Sequence, residues 1–334
     1  MYKINDNFYN AIKGSHYSKF FTKDKAKNKH IYQTLSKQLH PDNNSDPRAT
    51  DAFATLGFLY AAALDAIDNN CWTEPGYLEI KTKPKTLQIH YLYEGKHPFG
   101  KYYVCRTKVI YIFDFSYKKY YNNYIEKNKY LKYPGNGKLA DSMRQITPKI
   151  YAEYDTEQEH IIVLDKPGDV YPLRAMIDNY WSGCIPGRHL TWMISRLMGI
   201  ETLLQFNHLV LNGLDVDSLF ISPKDHALYL FGGWWFAVPD GEHMLGTTPE
   251  ILKLMPPKVK ANKIAERATD MECIRAFGRQ YDADCPQPIK NFLQKGSSNE
   301  IHWEEWDNAI HAAFGERKFI KIEVTDKDVY KEIK

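Results

Sequence analysis

The sequence predicts an α+β protein with more than one domain: an all-α hairpin first, a β-rich region next and a mainly helical region last. Three observations support this prediction. Two apolar stripes with helical spacing flank a short polar turn near residue 40, strand-like runs cluster between residues 82 and 165, and helical patterns dominate after residue 171. With 334 residues, the chain is long enough for two or three domains.

The composition is that of an ordinary globular protein, with 43% apolar and 25% charged residues. The sequence has no uninterrupted apolar run of about 18 residues, which predicts no transmembrane helix. The first residues do not combine a basic stretch with an apolar one, so we expect a cytoplasmic protein. The five cysteines are scattered without a C-x-x-C pair, which predicts reduced thiols with no role in metal binding.

Basic residues cluster in two stretches, Lys3–Lys37 and Lys96–Lys149, although the net charge is only +3. A basic surface attracts nucleic acid, anionic lipid or an acidic protein. Because these residues lie on predicted helices and between strands, without an arginine-rich tail, we expect an acidic protein partner. We expect no membrane partner, and salt-sensitive binding of nucleic acid by the second stretch is the weakest alternative.

The first predicted helix of the hairpin covers residues 24–39. Thr22 suits the N-cap, since its hydroxyl can accept from a free backbone N–H. The helix is expected to end near His40, because a residue before proline is biased away from the α region. The apolar stripe of this helix consists of Ile31, Leu35 and Leu39.

A second helix is predicted directly after a short polar turn. Asp46 suits its N-cap and Pro47 its first helical position. Two apolar faces joined by a short turn favour an antiparallel helical hairpin. The apolar stripe of the second helix consists of Phe53, Leu56, Tyr60 and Leu64.

The segment from Tyr32 to Asp65 resembles the J-domain family, whose HPD tripeptide stands here between the two helices. The resemblance implies that the tripeptide and the basic face of the first helix dock on the nucleotide-binding domain of a DnaK-type chaperone and accelerate its ATP hydrolysis. Lysines would steer this encounter toward an acidic surface. An inserted segment, HYSKFF, predicts a remodelled first helix of the domain. The residues expected to bind the chaperone are His40, Pro41, Asp42, Lys25, Lys29 and Lys37.

A connector is predicted at residues 71–81, where Pro75 and Gly76 follow two asparagines. Runs rich in aromatic and β-branched residues then predict strands. The longest later helix is predicted at Arg188–Phe206, which carries a broad apolar face. The predicted strands are Leu87–Tyr93, Tyr102–Cys105, Val109–Phe115 and His160–Leu164, with further strand character in FIKIEV near the end.

Several motifs in order make residues 82–315 similar to a protein kinase. EGKHPFGKYY resembles the glycine-rich loop, with Gly95 and Gly100 retained, and HLVLNGLDVDSLFIS stands at the place of the catalytic loop. LYLFGG resembles the turn that carries a metal-binding aspartate, and TPE and ATDMECIRAFG follow in sequence. The resemblance implies a bilobal fold. The predicted boundaries are 1–70 for the J domain, 71–81 for the linker, 82–165 for the β-rich lobe, 166–315 for the helical lobe and 316–334 for a C-terminal strand and charged tail.

Phosphoryl transfer by a kinase requires a lysine, an aspartate and metal ligands that this sequence lacks at the matching positions. VIYIFDF has no lysine between Lys108 and Lys118. The resemblance places Gly213 at the catalytic aspartate, Ser218 at the metal-binding asparagine, and Phe231 (or Leu230) at the metal-binding aspartate. Asp215 and Asp217 lie nearby, and we expect them to be exposed loop carboxylates. The sequence thus predicts a pseudokinase without catalytic residues, metal site or required cofactor, and leaves ATP binding open.

The leading hypothesis is a co-chaperone that stimulates a DnaK-type ATPase and uses its kinase-like module to bind a client or partner protein. One alternative is a divergent kinase or nucleotidyl transferase that uses Asp215 or Asp217. Another is a structural adaptor with a vestigial J domain. These alternatives remain open from the sequence alone.

Overall fold

The structure is a computed structural model that describes residues 6–13, 16–69, 72, 74–316 and 318–330. It contains two compact units, with the division between Tyr91 and Leu92.

The first unit consists of helices followed by a β-hairpin. Helices α2 (Lys25–Leu39) and α3 (Ala49–Asp68) are antiparallel, since Lys25 at the start of α2 forms an ion pair with Asp68 at the end of α3. Midway, the rings of Tyr32 and Tyr60 stack with centroids 4.3 Å apart. The elements are α1 Asp6–Ile12, a 3-10 turn Tyr17–Lys19, α2 Lys25–Leu39, α3 Ala49–Asp68, β1 Tyr77–Lys81 and β2 Thr86–His90.

The ends of α2 and α3 differ from the prediction in detail. Asp24, rather than Thr22, caps α2, and its carboxylate accepts from the backbone N–H groups of Ala26 and Lys27. Helix α3 begins at Ala49, later than the predicted start at Pro47, because Asp46 and the two residues after it form a turn. A carboxylate one residue before the helix reaches the free N–H groups of the first turn better than a side chain three residues before it.

Helix α3 is long and apolar enough to cross a membrane by length and composition alone. The sequence predicts no transmembrane helix, because it lacks a long uninterrupted apolar run. A single helix of this kind is weak evidence for a membrane span, since the core helix of a soluble protein passes the same test.

The predicted linker at 71–81 is wrong in its second half, and the predicted β-rich lobe begins too early. Tyr77–Lys81 is a strand, paired antiparallel with β2 from Tyr77 opposite His90 to Lys81 opposite Thr86. This β-hairpin belongs to the first unit. The predicted strand Leu87–Tyr93 is divided between β2 and the next unit. Proline and glycine predict a connector, whereas here they immediately precede a strand.

The second unit begins with an antiparallel sheet of five strands, whose order in space is first, second, third, fifth and fourth along the chain. The third and fifth strands pair over their whole length, from Lys108 opposite Asp165 to Asp114 opposite Glu159. Helices stand between the third and fourth strands along the chain. The elements are β3 Tyr93–His97, β4 Gly100–Val104, β5 Lys108–Asp114, a 3-10 turn Phe115–Tyr117, α4 Lys118–Lys129, α5 Lys138–Ile146, β6 Ile150–Asp155 and β7 Glu159–Asp165.

A mainly helical lobe follows the hinge at residues 166–170. Its central helix is α7, which packs against α10 and buries most of its side chains. The helices are α6 Leu173–Ala175, continued as a π-helical turn Met176–Tyr180, then α7 Gly187–Phe206, α8 Pro249–Leu254, α9 Pro257–Asn262, α10 Ala268–Tyr281, α11 Gln287–Leu293, α12 Trp303–Phe314 and α13 Asp326–Val329. The strands are β8 Tyr171–Pro172, β9 Leu209–Val210, β10 Leu219–Ser222, β11 Ala227–Leu230 and β12 Val238–Pro239.

A β-rich lobe followed by a helical lobe is the α+β, kinase-like arrangement that the sequence predicts for this part of the chain. The predicted C-terminal strand is wrong, because residues 319–324, all of which the structure describes, form no strand. Ile322 instead packs into the core of the second unit as part of an irregular segment. An alternating apolar pattern fits either geometry when the apolar side chains face a packed surface.

Candidate functional site

The turn after α2 presents an imidazole and a carboxylate to solvent. His40 caps the C-terminus of α2, where its backbone N–H donates to Ser36. The backbone N–H of Asp42 donates to His40 Nδ1 at 3.3 Å, and the Asp42 carboxylate lies 3.6 Å from the same nitrogen. The two side chains are 44% and 85% exposed. Together they form a small polar surface at the end of the hairpin.

The His40 ring is also supported from below by Phe53, with the rings edge to face and their centroids 5.2 Å apart. Contacts with Asp42 on one side and Phe53 on the other limit the orientations of the ring. A ring held in advance loses less conformational freedom when it binds a partner.

Sequence reasoning missed Asn44, which closes this turn. Its side chain is 3% exposed. The Asn44 amide donates to the Gln38 carbonyl at 2.9 Å, and its oxygen accepts from the Asp46 N–H at 3.0 Å. Asparagine in a turn commonly bonds to nearby backbone in this way, so the NNSD stretch after the HPD tripeptide carried the signal.

The three candidate steering lysines on α2 are exposed, but their surroundings differ. Lys25 is engaged with Asp68 at the far end of the hairpin. Lys29 and Lys37 form no ion pair with any residue that the structure describes, and Lys37 stands in the last turn before His40. Lys29 and Lys37 are therefore the lysines free to attract an acidic surface.

In the second unit, Gly95 and Gly100, the two glycines that match the glycine-rich loop, allow neighbouring atoms to pack closely. A Cβ at Gly95 would lie 2.2 Å from the Tyr102 ring. A Cβ at Gly100 would lie 2.2 Å from the Ile112 carbonyl oxygen, and Gly100 has a φ of +152°. Side chains are excluded at both positions because sheet atoms occupy the space.

His97, between these glycines, points into the protein. Its Nε2 lies 2.9 Å from the Ile112 carbonyl oxygen, and its ring centroid lies 5.1 Å from that of Trp235. Burial lowers the pKa of His97 to about 4, so the ring is neutral at physiological pH. The turn is therefore part of the core, and it does not form an open loop over a phosphate.

Aromatic rings fill the space between the sheet and the helical lobe. Tyr102 of β4 reaches Phe220 of β10, with centroids 6.1 Å apart, and Tyr111 of β5 lies 5.7 Å from Trp235. Trp235 also stacks on Tyr124 of α4 at 6.0 Å. The Tyr102 and Tyr111 side chains are fully buried, and burial raises the pKa of both well above the usual range. Packed rings therefore join the sheet to the helical lobe at these positions.

The residues at the positions that match the catalytic loop form hydrogen bonds with one another. The Ser218 hydroxyl lies 2.9 Å from the Gly213 carbonyl oxygen and 2.7 Å from the Asp215 carboxylate. The Ser218 N–H donates to the same carboxylate at 2.8 Å. Burial raises the pKa of Asp215 to about 6, against the opposing effect of these hydrogen bonds. A Cβ at Gly213 would lie 2.8 Å from the Gly233 carbonyl oxygen.

The expectation of exposed loop carboxylates is therefore wrong for Asp215, which is largely buried, whereas 40% of the Asp217 side chain is exposed. Asp215 is bonded to Ser218, and Asp217 forms a two-pronged ion pair with Arg174 at 3.0 and 3.1 Å. This pair fixes the planes of both groups. Sequence spacing gave no sign of Arg174, which lies more than 40 residues earlier.

Phe231, at the metal-binding position, is 1% exposed and packs 5.0 Å from Phe220. Its carbonyl oxygen accepts from the Tyr124 hydroxyl at 2.6 Å. The neighbouring Asn123 amide lies 2.9–3.2 Å from the carbonyl oxygens of Trp234, Trp235 and Ala237. Helix α4 thus fixes the segment that follows Phe231.

These residues do not fit a magnesium nucleotide. In the part of the chain that the structure describes, no group of three His, Cys, Asp or Glu residues is arranged to hold a metal. Lys108 is engaged with Asp165 and stands 3.6 Å over the Tyr151 ring at the start of its strand. Lys108 and Asp217 are thus both held in ion pairs, with Asp165 and Arg174 respectively.

Sequence reasoning also missed the role of Asp270 on α10. This buried carboxylate accepts from the backbone N–H groups of Leu211 at 2.6 Å and Asn212 at 3.0 Å. Burial raises its pKa to about 7, and the two hydrogen bonds oppose that rise. Asp270 therefore fixes the loop that contains Gly213. The motif ATDMECIRAFG contained this residue, but its partner loop is nearly 60 residues away.

Comparisons with known proteins give little further information. No model of a protein family matches the chain. No curated protein matches it. A solved structure described as "Structure of vaccinia related kinase 3" is similar over 72% of this chain and 92% of that one, with 12% identity and a TM-score of 0.47. The description of the second unit as kinase-like rests on its own strand order and lobes.

Proposed function

We propose that this chain is a J-domain-type co-chaperone of the cytoplasm, whose kinase-like module binds a client or partner protein and transfers no phosphate. The HPD turn and the basic face of α2 recruit a DnaK-type chaperone and stimulate its ATPase. The observation that carries the proposal is the exposed pair His40 and Asp42, held by Phe53 and Asn44 at the end of an antiparallel hairpin.

The turn suits recognition of a protein surface. The Asp42 carboxylate and the second ring nitrogen of His40 offer hydrogen-bonding groups beyond the bond from the Asp42 N–H to His40 Nδ1. Lys29 and Lys37 add positive charge on the same helix, which speeds the approach to an acidic surface and makes binding salt-sensitive.

The filled cleft of the kinase-like module supports the proposal that this module binds a partner protein. Tyr102, Tyr111 and Trp235 occupy the interior, and the remaining carboxylates are committed to Ser218 and Arg174. A stable fold without free catalytic groups still presents a large outer surface to a second protein.

Direct binding to a DnaK-type chaperone in its ATP state tests the proposal. His40→Gln in the full chain should weaken binding by at least about tenfold, because it replaces an imidazole ring held in place by Phe53 with a flexible amide at a desolvated contact. His243→Gln is the matched control: it makes the same change at an exposed histidine of the other unit. Equal affinity of the wild type and His40→Gln, or no binding by either, would reject the co-chaperone in favour of the adaptor.

The competing function is a divergent kinase that uses Asp217, whose side chain is still 40% exposed. Thermal denaturation with and without Mg²⁺ and ATP separates the two. The co-chaperone proposal expects no shift of the melting temperature. A Mg²⁺-dependent rise that disappears in Asp217→Asn would favour the kinase instead.

A further inference from the structure

The last described segment, residues 319–330, is fastened to the second unit by two buried apolar side chains. Ile322 is 6% exposed, and Val329 has no exposed surface. Both belong to the same core as the sheet and the helical lobe. Between them the chain forms only the short helix α13, so these anchors, and not regular secondary structure, hold the segment in place.

Three side chains from the start of the helical lobe bind this segment. The Tyr180 hydroxyl donates to the Glu323 carbonyl at 3.0 Å, and the Asn179 amide donates to the Val329 carbonyl at 2.6 Å. The Tyr171 hydroxyl donates to the Asp326 carboxylate at 3.0 Å. Two of the three hydrogen bonds are accepted by backbone carbonyls. These three side chains therefore bind the backbone of the segment as well as a side chain.

The turn at α13 is fixed by its own capping box. The Asp328 carboxylate accepts from the Thr325 N–H at 2.8 Å and from the Thr325 hydroxyl at 2.7 Å. Reciprocal capping of this kind makes a very short helix persist. Val329 ends this helix with its side chain in the core, and Tyr330 follows it beside Tyr171.

Tyr330 contacts both lobes. Its ring centroid lies 5.7 Å from Tyr171, where the helical lobe begins, and 6.5 Å from Tyr93, in the first strand of the sheet. In the hinge itself, the Lys166 ammonium donates to the carbonyls of Pro167 and Val170. Burial lowers the pKa of Lys166 to about 8, and the charge of Asp326 opposes this effect.

We propose that residues 319–330 form a strap that holds the two lobes of the kinase-like module together across the hinge. The groove made by Tyr93, Tyr171, Asn179 and Tyr180 is a peptide-binding site, occupied by the chain's own C-terminal segment. Release of the strap loosens the hinge and the first strand of the sheet. The proposal does not depend on the chaperone-binding role of the hairpin.

Hydrogen exchange of the full chain tests the strap. Tyr330→Ala removes the ring that contacts both lobes, and Lys327→Ala is the control at an exposed position of the same short helix. We expect Tyr330→Ala to speed exchange about tenfold in both Tyr93–His97 and Lys166–Tyr171, as the loss of two aromatic contacts implies. The control should leave both regions unchanged. Faster exchange confined to residues 319–330 would overturn the proposal.

A second variant tests the groove as a binding site. Val329→Asp places a charge in an apolar contact and should release the strap. A synthetic peptide of residues 319–330, added to this variant, should restore slow exchange in the hinge. If exchange in the hinge stays slow in Val329→Asp without peptide, or stays fast with a saturating amount of it, the strap is not a separable ligand of the groove and the proposal fails.

Discussion

The polar groups of the HPD turn in the first unit and of the kinase-like cleft in the second unit differ in their exposure and in their bonding. The side chains of His40 and Asp42 are 44% and 85% exposed. In the cleft, Asp215 is bound by Ser218, Asp217 is bound by Arg174, and Phe231 is buried. Polar groups that the fold leaves unsatisfied are available to a partner, whereas those bonded within the chain are not. The likeness of the second unit to an enzyme fold therefore does not indicate which surface of the molecule binds a partner.

The same comparison predicts opposite energetic effects of substitution. Cleft side chains act as core, so their loss costs stability. Side chains of the turn are solvated, so their loss costs little stability and shows only when a partner is bound. The following substitutions test this difference, from the largest expected change in the free energy of unfolding to the smallest.

Trp235→Ala should lower the free energy of unfolding by about 3–5 kcal/mol, as expected for removing a large ring from a packed core. Trp235 is 3% exposed and contacts rings from the sheet and from α4. Leu139→Ala, at a position 61% exposed, should change it by less than about 0.5 kcal/mol. Urea denaturation measures both. A loss below about 1 kcal/mol for Trp235→Ala would mean that the cleft can open without cost.

Asp215→Asn should change how stability depends on pH. Burial raises the pKa of Asp215 in the folded protein to about 6, from an ordinary value of 3.8. Between these values the folded protein binds more protons than the unfolded chain, so this group's contribution to stability falls as pH rises through the window. From about pH 4 to pH 7, the wild type should lose up to about 3 kcal/mol relative to Asp215→Asn. Parallel stability curves in urea denaturation would contradict this account of Asp215.

Gly100→Ala should cost at least about 2 kcal/mol, because the residue has a positive φ and the added Cβ would meet the Ile112 carbonyl. The hinge residue Gly168 has no atom within 4 Å of an added Cβ, and its substitution by alanine should change stability by less than about 0.5 kcal/mol. Thermal melts compare the two. Equal effects would mean that the turn at Gly100 is an open loop after all.

His40→Gln should change the free energy of unfolding by less than about 0.5 kcal/mol, because the side chain is substantially exposed and makes few contacts within the fold. Urea denaturation measures it beside the wild type. A loss above about 2 kcal/mol would show that His40 is mainly structural. That result would remove the contrast between the turn and the cleft.

Local patterns predicted much of this architecture, and distant contacts account for most of what they missed. The spacing of Ile31, Leu35 and Leu39 indicated α2, and the order of the kinase-like motifs indicated two lobes. The bonds from Asp270 to the loop at Leu211, and from Arg174 to Asp217, join residues that no local pattern connects.

Two further errors arose where a local signal fits more than one structure. Pro75 and Gly76 indicated a connector, but a strand follows them at once. The alternation in FIKIEV indicated a strand, but its apolar residues face a packed surface without a strand partner. His97 is a related case, since its inward direction depends on the aromatic rings that surround it. Period and turn residues restrict the backbone, and tertiary packing decides among the remaining structures.

The most direct test of the central claim is the steady-state ATPase rate of a DnaK-type chaperone with the full-length chain, His40→Gln and Asp217→Asn. If the turn is the working site and the cleft is filled, the wild type and Asp217→Asn stimulate hydrolysis equally, and His40→Gln leaves the basal rate. Equal stimulation by His40→Gln and the wild type, or its loss in Asp217→Asn alone, would contradict the account.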